Sequence, residues 1–290
     1  MNSEFKTIAL IGKHKNPEIA APLLSLAQYL QAKHYQVHLD HLTALHICSD
    51  QYPVMTLEEI GQRSDLAIVM GGDGTMLNIA RMLASDDVPL IGINQGRLGF
   101  LTDLSVDTMY ETLDIMLSGQ FITERRMLLH AEVVRDGVSV FSSLAFNDVV
   151  LYRGMSSGMI EFEVQVNDEY VNTLRSDGLI VATPTGSTAY ALSSGGPILH
   201  PGLDLITLVP VCPHTLSNRP VVIGPESSVQ IRMNSCANVR INCDSHAYFD
   251  LELTDKIIIK RFPQTVRFLH PVNHSYYRML REKLGWSEFP

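Results

Sequence analysis

No apolar run in this 290-residue chain approaches the roughly 20 residues that cross a bilayer, which excludes a helical membrane span. Met1-Asn2-Ser3-Glu4-Phe5-Lys6 lacks the apolar core of a secretion signal, so a cytoplasmic protein is expected. Cysteine is scarce. Cys48, Cys212, Cys236 and Cys243 have no metal-ligand spacing and are too few for a disulfide framework, which leaves buried thiols in a reducing compartment. Basic residues are also in deficit, 22 against 31 acidic, and the net charge of −9 argues against a general nucleic-acid binder. The sole tryptophan, Trp286, is expected as a packing anchor. Repeats, low-complexity segments and flexible linkers are absent. What remains, 46% apolar and 18% charged, is the profile of a globular chain with one large or two ordinary domains.

The stretch around which the rest is organised is Gly71-Gly72-Asp73-Gly74-Thr75. Before it, Asp65-Leu66-Ala67-Ile68-Val69-Met70 reads as a strand buried on both faces. After it, Met76, Leu77, Ile79, Ala80, Met82 and Leu83 recur at helical spacing. The glycines therefore lie in a strand-to-helix turn. They permit positive φ and close approach of a ligand, while the helix N-terminus attracts anions. A carboxylate at such a place is repelled by phosphate unless it holds a metal or takes a proton from a hydroxyl. That pattern points to phosphoryl transfer with Asp73 near the attacking group. The alternative is a tight turn with an N-cap. Neither a Walker A loop nor a Gly-x-Gly-x-x-Gly fingerprint is present.

Taken in order, the first half alternates strands and helices. A buried strand over Thr7–Ile11 leads to Asn16-Pro17, which cap and start a helix to about Lys33. Val37–Leu39, Leu57–Gln62 and Pro89–Asn94 read as strand, short helix and strand, and a helix over about Ser105–Leu117 closes this half. A mostly parallel sheet follows, with ligands beyond its carboxyl ends. The second half is predominantly β, without an obvious helix. Asp136-Gly137 and Asn167-Asp168 mark two hairpins, and further strands are expected at 179–182, 221–223, 229–232, 239–243 and 256–260. Tyr276–Leu284 reads as a last helix stopped by Gly285.

Several polar clusters punctuate that half. Asn147-Asp148 ends an apolar strand, where an amide suits an adenine edge and a carboxylate a ribose hydroxyl; an Asx-type turn is the alternative. Arg175-Ser176-Asp177-Gly178 precedes another strand. Thr183-Pro184-Thr185-Gly186-Ser187-Thr188-Ala189-Tyr190 offers hydroxyls and N–H groups to phosphates and a ring for stacking.

In this order, Gly71–Thr75, Asn147-Asp148, Arg175–Gly178 and Thr183–Tyr190 resemble the signature motifs of bacterial NAD kinases, and the resemblance runs nearly end to end. The glycine-Asp motif alone is shared with phosphofructokinases and diacylglycerol-type lipid kinases. The resemblance implies an α/β N-terminal Rossmann-like domain over 1–125 and a β-rich C-terminal domain for NAD binding and oligomerisation over 126–270. Residues 271–290 would pack back on the first domain. It implies ATP- and Mg²⁺-dependent phosphorylation of the adenosine 2′-hydroxyl of NAD, Asp73 taking the proton. Gly72, Asp73 and Gly74 would lie against nucleotide, Asn147 and Asp148 against adenosine, and Arg175 against phosphate or ribose oxygens. Asp177 with Thr188, Ala189, Tyr190, Ala191, Leu192 and Ser193 would line the rest. His246 stands where relatives carry Gln, and Gly158 where many carry a basic residue. The partners implied are NAD and ATP, with no nucleic acid or membrane, in a homotetramer or homodimer. A lipid or sugar kinase with the same motif, or a non-catalytic NAD(P) sensor, are the rival readings.

Overall fold

The computed structural model describes residues 5–13, 16–47, 50–96, 99–154, 158–235 and 238–286. The chain forms two compact units, Met1–Arg125 with Thr265–Pro290, and Arg126–Gln264. The return crossing thus lies at Gln264/Thr265, ahead of the boundary at 270 expected from sequence.

The first unit begins with β1 (Thr7–Gly12), a 3-10 turn at Pro17–Ile19, α1 (Ala20–Ala32) and β2 (Gln36–Asp40). Asn16 caps the turn as expected, accepting from the Glu18 amide at 3.3 Å. Next come α2 (His41–Ile47), β3 (Val54–Met55), α3 (Leu57–Arg63), β4 (Leu66–Met70), α4 (Asp73–Met82), β5 (Leu90–Asn94), β6 (Leu104–Ser105) and α5 (Met109–Leu117). Helix α2 was not expected: Asp40 starts it by accepting from both the amide and the hydroxyl of Thr43, a cap hidden behind the strand. The start of the expected 105–117 helix is instead β6 and a turn.

The sheet order is β3-β2-β1-β4-β5, with β6 and the end of a last strand also on β5, and every pair is parallel. Connections run outward one way from β1 and the other way from β4. The gap between the carboxyl ends of β1 and β4 is therefore the topological switch point, the usual ligand crevice of such sheets. Strand β4 is buried along its whole length, as its unbroken apolar run requires.

The second unit is antiparallel. It holds β7 (Phe121–Arg135, entered from the first unit), β8 (Val138–Ala145), β9 (Asp148–Arg153), β10 (Ile160–Val166), β11 (Glu169–Ser176) and β12 (Gly178–Ala182). A one-turn helix α6 (Tyr190–Ser193), β13 (Ile206–Val211), β14 (Val221–Ile223), β15 (Val229–Met233), β16 (Val239–Cys243), β17 (Ala247–Asp250) and β18 (Lys256–Pro271) complete it. Both expected hairpins form. Asp136 and Gly137 (φ 50° and 80°), and Asn167 and Asp168 (φ 53° and 64°), take the two positive φ values that match the twist of paired strands.

One sheet orders β14-β13-β12-β9-β16-β17, and β11, β10, β15 and the first half of β18 pair in a second. A core that includes Leu129, Leu151, Phe162, Val181 and Ile231 fills the space between strand faces. On the other face of the six-stranded sheet, α6 inserts Ala191 among Val150, Ile180, Ala182 and Val209. Within β18 the chain re-enters the first unit, and it then forms α7 (Tyr276–Leu284), capped by Gly285 at φ 65°.

Two expectations are corrected. Trp286 is 60% exposed and anchors nothing, because it follows the cap that ends α7. Cys243 is buried, but Cys212 is exposed at a positive-φ turn; Cys48 and Cys236 lie outside the described residues. Among the described residues no helix is long and apolar enough to cross a membrane.

Candidate functional site

At the switch point of the first unit, Gly71 and Gly72 leave β4 and Asp73 is the first residue of α4. None of Gly71, Gly72 and Gly74 takes positive φ, contrary to expectation. Their value is space: a Cβ at Gly72 or Gly74 would meet nothing within 4 Å. Above them opens a cavity of about 350 Å³ lined by Lys13, Gly72, Gly74, Thr75, Asn78 and Ile79. The glycine turn carries no lysine in sequence, yet Lys13 arrives from the end of the neighbouring strand β1. Its amide donates to the Met70 carbonyl at 2.9 Å, which ties the two strand ends together.

Asp73 does not point into an empty turn. Its Oδ2 accepts from the Phe100 amide at 2.8 Å, and Oδ1 accepts from the Leu101 amide at 2.9 Å and the Thr102 hydroxyl at 3.4 Å. A carboxylate has about four acceptor positions, so one on Oδ2 stays open. The turn can come this close only because residue 99 is glycine: a Cβ there would sit 1.9 Å from Asp73 Oδ1.

In the second unit, strand register gathers three motif segments at one end of the six-stranded sheet. Ala182 of β12 and Cys243 of β16 flank the start of β9, opposite Asp148 and Val149 respectively. The turn after β16 places Asp244 against the backbone of the Asn147 segment, where it accepts from the amides of Phe146 (2.6 Å), Asn147 (2.8 Å) and Asp148 (3.1 Å). Gly186 lies against the Asn147 carbonyl, which a Cβ would approach to 2.0 Å. Asp148 is 6% exposed; burial, aided by the Asp244 charge, pushes its carboxyl up to about 7. It can thus hold a proton and donate a hydrogen bond near neutrality, while Asp244 accepts.

Comparison with known proteins identifies the assembly. The chain matches the ATP-NAD kinase N-terminal domain over residues 8–121 and the ATP-NAD kinase C-terminal domain over 146–271. The NAD kinase of Nitrosomonas europaea is 69% identical over 283 residues, 98% of this chain and 96% of that protein. The NAD kinase of Nitrosospira multiformis is 65% identical over 290 residues, 100% and 99% of the two. This chain belongs to the NAD kinase family. It is a kinase that phosphorylates NAD, which sets aside the lipid and sugar kinase readings. Among solved structures, yeast NADH kinase complexed with NADH superposes with a TM-score of 0.89 at 25% identity, covering 100% of this chain and 93% of that one. The Archaeoglobus fulgidus NAD kinase in complex with ATP gives 0.73 at 25% identity, covering 96% and 98%.

Within this NAD kinase fold the remaining motif residues are spread out. Thr188, Ala189 and Leu192 are half-buried, Tyr190 and Ser193 exposed, and Ala191 is packed in the core beneath α6. The hydroxyl run turns largely inward: Thr183 donates to the Phe146 carbonyl at 2.7 Å, Ser187 to the Pro184 carbonyl at 2.6 Å and Thr188 to the Thr185 carbonyl at 3.2 Å. Those hydroxyls build the loop rather than a phosphate cradle. Arg175 and Asp177 lie at the opposite end of β12, paired with Glu161 (3.7 Å) and Arg153 (3.3 Å). His246 is exposed in the β16–β17 turn; Gly158 takes φ 108°, and Ser156 and Ser157 beside it lie outside the described residues.

Sequence reasoning missed Lys13, Gly99, the 100–101 amides and the clamp role of Asp244. Only the Gly-rich Gln95–Phe100 stretch after β5 carried any local signal.

Asp148 yields a pH prediction. Its folded-state pKa lies above the ordinary 3.8, so its stabilising contribution is complete below that value and lost as pH rises through about 7. Urea denaturation between about pH 5 and about pH 8 should show the wild-type chain losing stability relative to Asp148→Asn. Parallel pH slopes for the two proteins would mean that Asp148 is an ordinary, ionised carboxylate.

Proposed function

We propose that the chain transfers the terminal phosphoryl group of ATP to the adenosine 2′-hydroxyl of NAD, giving NADP and ADP. Asp73 takes the hydroxyl proton as the new O–P bond forms and the bond to the β-phosphate oxygen breaks. The observation that carries this reading is the single open acceptor position on a carboxylate otherwise fixed by the 100–101 amides. Lys13 and the N-terminus of α4 border the open space above Gly72 and Gly74, where donor phosphates would be met by positive potential. Asn147 and a protonated Asp148 would hold the adenosine.

A divalent cation, Mg²⁺, fits the donor set only as an ion carried chiefly by ATP phosphates and water, since Asp73 offers one position. When bound it supplies charge neutralisation on the phosphates. A cytoplasmic location belongs to the same proposal.

The active unit in this reading is a homo-oligomer, a tetramer or a dimer. The five residues of β12 lie between Asp177 and Thr183, six steps of about 3.3 Å or about 20 Å at strand rise. If Arg175 and Asp177 line the NAD site, a second copy of the chain brings them there.

Three outcomes follow. Asp73→Asn should cut kcat by about 10²–10⁴-fold with NAD affinity nearly unchanged by calorimetry; turnover near wild type would remove Asp73 from the chemistry. Lys13→Ala should raise KM for ATP by about fivefold, as an exposed charge contact is worth, and leave KM for NAD alone. Mixing inactive Asp73→Asn chains with Asp177→Ala chains should restore activity in a species that light scattering sizes as an oligomer. A fully active monomer would end the assembly proposal.

A further inference from the structure

The turn that holds Asp73 runs into Asp103, and Asp103 is itself held from two sides. Its Oδ2 accepts from Nδ1 of His270 and from Nδ1 of His274, each at 2.9 Å. The two rings stack with centroids 4.1 Å apart. On its far side, His270 Nε2 meets Glu124 Oε2 at 3.0 Å, so both its ring nitrogens face carboxylates. The side chain of His270 is 2% exposed and those of Asp103 and His274 are 14% and 15%. Burial alone would raise the Asp103 carboxyl, but the two imidazole hydrogen bonds outweigh it and hold it down at about 2. The carboxylate therefore stays ionised across the working pH range. Asp103, His270 and His274 place their ligand-type atoms within 4.8 Å, a spacing that a metal could use. Here both Nδ1 atoms already lie at hydrogen-bond distance from one oxygen, so the anion is met by N–H donors.

The mechanical consequence lies two residues upstream. The Gly99 amide donates to the Thr102 carbonyl at 2.9 Å, which closes residues 99–102 into a unit. That unit lies flat on β5: Gly92 leaves no room for a Cβ, 2.6 Å from the Leu101 carbonyl oxygen, and Asn94 Nδ2 donates to the Thr102 hydroxyl at 3.0 Å. These contacts fix its height above the strand. The pairing of Leu104 and Ser105 with Ile93 and Asn94 sets the strand register just beyond it, and Asp103 adds a charged anchor between that pairing and the Phe100 and Leu101 amides. His274 borders a cavity of about 220 Å³ between this turn and α7, lined also by Ser275, Arg278 and Glu282. With open space on that side, the bond to Asp103 and the stack on His270 together set the His274 ring.

We infer that Asp103, clamped by His270 and His274, is a positioning residue for phosphoryl transfer. It sets where the 99–102 turn holds Asp73 and so where the open acceptor position of Asp73 points. The inference rests on the assignment of Asp73 as proton acceptor. It gives the C-terminal return of the chain, which carries both histidines, a part in the chemistry at the switch point.

The test is a mutant cycle on the full-length chain in an NADP-forming assay. His274→Ala removes one donor and should lower kcat about tenfold while KM for NAD and ATP stay within about twofold, since a small misplacement of a reacting group costs rate rather than binding. His274→Asn, whose amide nitrogen can stand where Nδ1 stood, should restore most of that loss. In an Asp73→Asn background the alanine substitution should cost nothing further. Circular dichroism and melting temperature, read for each variant, separate misplacement from unfolding. An unchanged kcat in folded His274→Ala overturns the inference, as does a loss that Asn fails to rescue or that multiplies with Asp73→Asn. If Asp73→Asn alone keeps near-wild-type turnover, the Asp73 assignment falls and takes this inference with it. A large loss in Asp73→Asn beside an unaffected His274→Ala overturns the inference alone.

Discussion

The carboxylate of Asp73 against the amides of Phe100 and Leu101 is the contact on which the first unit is built. It requires glycine at 99, because any side chain would occupy the oxygen's place. It requires β4 and β5 as parallel neighbours, so that the turn after one strand faces the turn after the other. It also spends most of the acceptor capacity of Asp73 on the protein itself, leaving one position unfilled among the described residues. An acid beside a phosphate site is tolerable on those terms: its charge is partly answered by fixed dipoles and its orientation is settled before a substrate arrives.

The second unit repeats the device with a different result. Asp244 accepts from three successive amides and so fixes the loop that carries Asn147 and Asp148. Burial, aided by the charge placed there, raises the Asp148 carboxyl. Two carboxylates close together in a dry place cannot both ionise cheaply, and their environments divide the roles. Asp244 accepts from its backbone donors, and Asp148, raised to about 7, can hold a proton near neutrality. A pair of aspartates in the sequence thus becomes one backbone anchor and one buried carboxyl able to donate.

Much of the fold was legible because its signals are local. The unbroken apolar run before Gly71, the Asn16-Pro17 start, the Asp136-Gly137 and Asn167-Asp168 turns and the Gly285 stop all act within a few residues, and each formed where expected. The errors share the opposite character. Helix α2 starts on a buried Asp40 cap, Trp286 lies past the end of its helix in solvent, and Cys212 sits on an exposed turn. Hydroxyls at Thr183, Ser187 and Thr188 looked available for phosphate, yet they donate to the carbonyls of Phe146, Pro184 and Thr185.

The sequence by itself determined the two-part α/β and β-rich architecture, the order of the motifs and the family to which they belong, since glycine turns, hairpins and periodic apolar faces are written in neighbouring residues. Tertiary structure alone decided which residues share a site. Lys13 reaches the glycine turn after β4 because β1 and β4 are adjacent at a switch point, although 58 positions separate it from Gly71. Asp244 reaches Asn147 because β16 pairs with β9, and His270 and His274 reach Asp103 because the chain returns to its first unit. Such meetings depend on strand order and register, which no short stretch of sequence encodes.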